Sequence, residues 1–150
     1  MVLACASTSG IGSESINLNL VPIDFEHLQR RSSPNDYLVC PPNLCQNAKL
    51  DRTARLFSIP ATELRKRIES LLAGLPRIRI VKKDATQLVI EEHSAVFGFP
   101  DIIDIRVIDI EAALSTLAIY SRSQYGYYDF GANKRRVEKW LEQLVGTLTG

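Results

Sequence analysis

Residues 122 to 139 hold the densest set of groups in the chain that could do chemistry. Arg122, Asp129, Asn133, Arg136 and Glu138 lie there with Lys134, Arg135 and Lys139, and Gly126 and Gly131 fall among them. A carboxylate just ahead of a helix can accept hydrogen bonds from its unpaired first N–H groups. Asp129 can take that role, or it can pair with Arg122 or Arg136. Asn133 heads an apolar stripe, so it is expected to be half-buried and to need partners. One reading is therefore a structural network of Arg122, Asp129, Asn133 and Arg136. The other is an anion site. Lys134, Arg135, Arg136 and Lys139 crowd the first turns of a helix, where the macrodipole favours negative charge. Cations beside free N–H groups suit a phosphate, a carboxylate or a lipid head group. On that second reading Asp129, Arg122 and Arg136 could serve an anion-binding protein or a small enzyme. A solvated basic face, partly offset by Glu138 and Glu142, is the ordinary alternative. Gly126 and Gly131 bracket a strand-to-helix corner, where glycine permits positive φ or a close backbone approach.

Other constellations are poor. His27 and His93 are the only histidines, and neither sits in a base motif. His93, beside Glu91 and Glu92, reads as an exposed strand residue. Nucleophile elbows, Walker loops and paired metal ligands are missing, so no catalytic residue, cofactor or metal is expected. Phe97, Phe99, Tyr120, Tyr125 and Tyr127 are read as core and corner packing rather than a cofactor box. Cys40 and Cys45 lie in Cys-Pro-Pro-Asn-Leu-Cys. They fit a small disulfide loop in an oxidising compartment, two partly buried free thiols, or half of a zinc site that lacks a second ligand pair.

The elements that must position these groups follow from periodicity. Leu64, Ile68, Leu71, Leu72 and Leu75 make a helical stripe, with Pro60 in its first turn and Gly74 and Pro76 as its stop. Ile78 and Ile80, then Leu88 and Ile90, then Ile103, Ile105 and Val107, then Leu117 and Ile119 mark four strands. In the last strand Tyr120 and Arg122 face away from Leu117 and Ile119. Short connections predict antiparallel pairing. Residues 131 to 147 form a long helix with Val137, Trp140, Leu141, Leu144 and Leu148 on one face. A short strand is expected at Leu56 to Ile59, and a short extended piece at Tyr37 to Val39. The fold class is α+β. An antiparallel sheet of about five strands carries a helix from the N-terminal half and the long C-terminal helix on one face, by analogy a helix-grip arrangement. Residues 1–15 are read as a flexible tether or signal remnant, 16–55 as an extended, mostly irregular arm that opens on alternating Ile16, Leu18 and Leu20, and 56–150 as the compact part of one domain.

Composition sets outer bounds. The chain has 150 residues, 45% hydrophobic and 23% charged, enough for one sizeable core. The net charge of +1 argues against a broad grip on nucleic acid, which needs a basic face. Membrane-spanning runs of roughly 20 apolar residues are absent. Leu3-Ala4-Cys5 matches the tail of a bacterial lipoprotein signal, in which the cysteine is lipidated. That reading expects basic and apolar stretches upstream of Met1, and a chance match is the alternative.

Residues 119 to 140 carry a resemblance. Arg122, Ser123 and Gly126, then Asp129, Gly131, Asn133, Arg136, Val137 and Glu138, fit an Arg-Ser-x-x-x-x-Gly strand followed by Asp-x-Gly-x-Asn-x-x-Arg-Val-Glu. This strongly resembles the bacterial family called domain of unknown function 1499. Asn35-Asp36-Tyr37-Leu38-Val39, Leu75-Pro76-Arg77 and Phe97-Gly98-Phe99-Pro100-Asp101 fit further stretches of it, and the likeness spans roughly residues 35 to 145. Two positions depart from the family. Its Cys-Pro-x-x-x-x-Cys segment is shortened here at Cys40 to Cys45, and Tyr128 stands where relatives often have a small polar residue. The resemblance implies no activity. It implies an envelope or periplasmic protein, lipid-anchored through Cys5, with a cytoplasmic location as the alternative. The expected function is a non-catalytic binding or assembly module. Its partner would be a protein or a small apolar or anionic ligand held between the sheet and the last helix.

Overall fold

The computed structural model of the protein describes residues 20–94 and 98–149. Cys5, the tether, residues 16–19 of the expected extended piece, and Phe97 lie outside them. The elements are β1 (Asp36–Cys40), β2 (Arg52–Thr53), α1 (Ala61–Ala73), β3 (Ile78–Lys83), β4 (Gln87–His93), β5 (Pro100–Glu111), β6 (Leu114–Ser123) and α2 (Ala132–Gly146). Six strands form one sheet in the order β2-β1-β6-β5-β4-β3. Every pair is antiparallel except β1 with β2. The fold is α+β, with a strand more than the sequence pattern suggests. The addition is β2, whose two exposed residues carry no alternation to read. The strand expected at Leu56 to Ile59 reduces to a single bridge between Phe57 and Ser115.

Alternation along the strands divides the buried residues into two layers. Tyr37, Val39, Leu88, Ile90, Ile103, Ile105, Val107, Leu117 and Ile119 pack with Leu64, Ile68 and Leu72 of α1 and Val137, Trp140, Leu141 and Leu144 of α2. Both helices therefore cover one face. Pro60 stands at the N-cap of α1, one residue ahead of the first turn, with φ −59 already helical.

On the other face Leu38, Cys40, Ala118 and Tyr120 are covered by Phe25, Leu28 and Cys45. From residue 20 onward the stretch expected as an arm is irregular, but it lies against the sheet. Phe25 is fully buried. Cys40 and Cys45 are joined by a disulfide, with Cα atoms 6.3 Å apart, where β1 leads into this covering loop.

A buried ion pair holds the cover in place. The Asp104 carboxylate, fully buried on β5, accepts from the Arg122 guanidinium at 2.8 Å. Its other oxygen accepts the Ile23 backbone N–H and the Gln87 side-chain amide, each at 3.1 Å. Arg122 also lies over the Tyr120 ring, 5.3 Å from its centroid. Beside it, Asp36 accepts from Tyr120 Oη at 2.7 Å and from Arg30. Burial first, then that bond, raises the Tyr120 hydroxyl above its ordinary range.

Asp104→Ala removes the carboxylate that neutralises Arg122 and the acceptor that fixes Ile23. A loss of roughly 3–5 kcal/mol in urea unfolding is expected, with faster hydrogen exchange at the Ile23 amide. An unchanged midpoint would show that the pair does not hold the two layers together.

Candidate functional site at the strand-to-helix corner

The connection from β6 to α2 turns through Gly126 and Gly131, whose φ angles are 83° and 77°. Both lie in the left-handed region that favours glycine. A Cβ on Gly131 would also meet an Arg135 guanidinium nitrogen at 3.2 Å. Asp129 is the cap of α2, working from two residues ahead of the N-cap. One carboxylate oxygen accepts the Gly131 N–H at 2.9 Å, and the other accepts the Asn133 N–H at 3.1 Å. The Asp129 carbonyl accepts the Ala132 N–H at 3.1 Å. Three N–H groups at the start of α2, those of Gly131, Ala132 and Asn133, are thus taken from within the chain.

Asn133 is fully buried. Its amide nitrogen lies 2.9 Å from the Asn35 carbonyl, 2.9 Å from Ser123 Oγ and 2.8 Å from Asp129. Its oxygen accepts from Ser121 Oγ at 2.6 Å and from Arg136 at 2.7 Å. Asn35 in turn donates to the Gly126 carbonyl at 2.6 Å, and its own carbonyl accepts the Ser123 N–H at 3.0 Å.

Arg136 reaches two carboxylates. It donates to Glu92 on β4, and to Asp101 on β5 at 2.5 Å. Glu92 and Asp101 are opposite each other in the β4–β5 ladder. Two like charges in that register repel, and a shared guanidinium converts the repulsion into attraction. The next residue, Val137, is fully buried in the core. Glu138 accepts from Tyr37 Oη on β1 at 2.6 Å and from Arg52 on β2. Arg136, Val137 and Glu138 therefore bind α2 to one side of the sheet, to its core and to its far edge.

Three of the four residues expected to act together do so: Asp129, Asn133 and Arg136. Arg122 does not join them, which corrects the four-residue network. It follows Ser121 and precedes Ser123 on β6, so alternation sends it to the opposite face of the sheet, where Asp104 holds it. The cations expected to form an anion site also separate. Arg136 is held by carboxylates, and Arg135 donates to the Phe130 carbonyl at 2.7 Å. Lys134 and Lys139 are exposed. An enzyme working through Asp129 would need that carboxylate accessible, and it is occupied by the helix it caps.

The histidines stand apart. His27 bonds Asp24 at 2.6 Å and is exposed. His93 Nδ1 lies 2.8 Å from the Gly98 carbonyl, and Nε2 contacts Glu91. The carbonyl first, then Glu91, raises the His93 pKa above its ordinary value.

The aromatic residues overturn one expectation. Tyr120 is buried, but Phe99, Tyr125 and Tyr127 are 52%, 65% and 70% exposed, so they do not pack the corner. Tyr128 and Phe130 are exposed as well, at 57% and 78%. Their rings meet edge to face at 5.0 Å, and those of Phe99 and Tyr125 meet at 5.6 Å. Phe130 adopts φ 54°, an uncommon conformation for a bulky side chain.

Open space lies away from this corner. The gap between the helices and the sheet, beside Ile68, Ile119, Trp140 and Leu144, has a volume of about 10 Å³. That is room for at most one water. A groove of about 340 Å³ runs between the β1–β2 edge and α2, with Val39, Leu117, Leu141 and Val145 below and Arg52 and Glu138 beside it. No described helix is long and apolar enough to cross a membrane.

Sequence reasoning missed Asn35, Glu92, Asp101, Ser121 and Ser123 as members of the corner. The signal was present. Glu92 is in phase with Leu88 and Ile90, Asp101 with Ile103 and Ile105, and Ser121 and Ser123 with Leu117 and Ile119. A polar residue in phase with a core row must find a partner on the element that covers it.

Asp129→Ala is expected to lower stability by roughly 0.5–2 kcal/mol as a lost cap. Combined with Asn133→Ala it should cost less than the sum, because each change removes the other's partner. Additive values in urea unfolding would disprove that linkage. Tyr37 supplies a second test. Burial first, then the bond to Glu138, pushes its hydroxyl from 10.0 up to about 12. Its contribution is fully present below pH 10 and lost as pH rises through about 12. Tyr37→Phe should lower stability at neutral pH by roughly 1–3 kcal/mol and flatten that alkaline fall.

No curated protein matches the chain. The family model described as a protein of unknown function, DUF1499, matches residues 32–144, a span that takes in Asn35, both carboxylates of Arg136 and the whole corner. The chain belongs to the DUF1499 family.

Proposed function

We propose that the protein is a non-catalytic binding module of the cell envelope that engages its partner through the outer surface of the strand-to-helix corner. The exposure of Phe99, Tyr125, Tyr127, Tyr128 and Phe130 carries this reading. Exposed apolar side chains gathered at one place on a folded domain mark a contact surface. Here they stand on a rigid support, because Asp129, Asn133 and Arg136 fix the backbone beneath them. Among the described residues, the space between the sheet and the helices is nearly filled. A helix-grip arrangement can enclose a ligand between sheet and helix, but that space holds about 10 Å³. The envelope location is supported by the Cys40–Cys45 disulfide, which persists in oxidising compartments, and by the lipoprotein-like Leu3-Ala4-Cys5.

Two measurements test the two halves of the reading. A photo-crosslinking amino acid in place of Tyr127 should trap a partner, protein or lipid, in living cells, and one in place of exposed Ser70 on α1 should not. Equal yields at both positions would refute the corner as the contact surface. Thiol titration of protein recovered from its own host should count Cys40 and Cys45 as oxidised. Reduction should lower stability by roughly 2 kcal/mol, the value for so short a loop. Two free thiols in freshly recovered protein would refute the oxidising compartment.

A further inference from the structure

Resting on the corner as the contact surface, we infer that its partner is an anionic lipid surface, with Tyr125, Tyr127, Tyr128 and Phe130 at head-group level and Lys134 and Arg135 against the phosphates. Three observations select lipid over a protein or peptide. The first is charge. From Gln124 to Arg135 the only acidic residue is Asp129, which is turned inward onto Gly131 and Asn133. The neighbouring acids Glu92 and Asp101 are both tied to Arg136, which offsets one of their two charges. Lys134 is exposed, and so is Arg135, one of whose guanidinium nitrogens donates to the Phe130 carbonyl. Between Gln124 and Arg135 the exposed charges are thus cations, which complements phosphate head groups.

The second is ring chemistry. Tyrosine places an apolar body and a polar tip at an apolar–water boundary, and three of the four rings are tyrosines. The third is shape. The rings lie outside the clefts described above, whereas peptide recognition uses a groove or a pocket for its anchors. A membrane interface needs neither. The backbone gives a further indication. Phe130 holds a left-handed φ of 54° while its side chain is 78% exposed. Its ring meets that of Tyr128, itself exposed, so this uncommon conformation holds an aromatic pair at the surface.

The test is co-flotation of the full chain, oxidised and without an acyl group on Cys5, with vesicles. One set is phosphatidylcholine alone, and the other contains added phosphatidylglycerol. Binding is expected to the anionic set and to fall with salt. Lys134→Gln with Arg135→Gln should weaken it roughly thirtyfold, about fivefold for each cation. Phe130→Asn keeps the left-handed backbone, which asparagine tolerates. It should leave the melting temperature unchanged or raised while weakening binding. This separates the surface from the fold. Equal binding to both vesicle types, or full binding by these variants, overturns the inference. Absence of vesicle binding while position 127 crosslinks to a protein overturns lipid but leaves the corner as a contact surface. Absence of both overturns the corner as well.

Discussion

The fold depends on one buried amide. Asn133 is enclosed at the point where α2, β6 and the start of β1 converge, and its side chain joins all three. A buried primary amide has a large desolvation cost unless its donors and acceptor are all used. Here they are, and each partner is itself fixed by something else. Asn35 is held at Gly126 and Ser123, Asp129 at Gly131, and Arg136 at Glu92 and Asp101. No apolar residue could replace Asn133 without leaving several buried polar groups unpaired. The amide therefore sets the position of the helix start, and the apolar stripe behind it follows.

The same end of the sheet explains why so many polar residues gather there. The helix-facing rows are apolar through their middle, at Ile90, Ile103, Ile105, Leu117 and Ile119. At the end beneath the N-terminus of α2 they become Glu92, Asp101, Ser121 and Ser123. A helix start brings unpaired N–H groups, and this chain brings Arg136 one turn later. Acids and hydroxyls beneath donors and a cation form a closed polar layer, continuous with the apolar core. On the opposite face Asp104 and Arg122 form a separate buried pair under the 20–28 segment. Arg122 and Arg136 are both drawn to carboxylates, but a sheet lies between them.

Much of this was legible before any coordinates. Period-3.6 stripes located both helices, and period-2 alternation located β3 to β6, because each of those elements buries one face against a continuous layer. The same alternation already put Arg122 on the far side of β6 from Leu117 and Ile119. The four-residue network ignored that phase, and the structure follows it. Asn35 could not be read as a hub, because its partners are a backbone carbonyl, a backbone N–H and an amide far along the chain. Long-range backbone contacts leave no pattern in composition. β2 was invisible for a different reason. Its two exposed residues join the sheet through backbone alone.

The polar and aromatic residues of the corner divide between two tasks. Asp129, Asn133 and Arg136, whose charge or amide could have recognised a ligand, are turned inward, and each is matched by a partner of the chain. Those that normally build a core, the tyrosines and Phe130, are turned outward. Burial of a single aromatic side chain stabilises a protein by roughly 1.5–3 kcal/mol, so exposing several forgoes a large gain available to a domain of this size. The inward polar layer makes that exposure durable. A corner closed by ion pairs and amide bonds does not collapse onto its own aromatics, and the rings remain available at the surface.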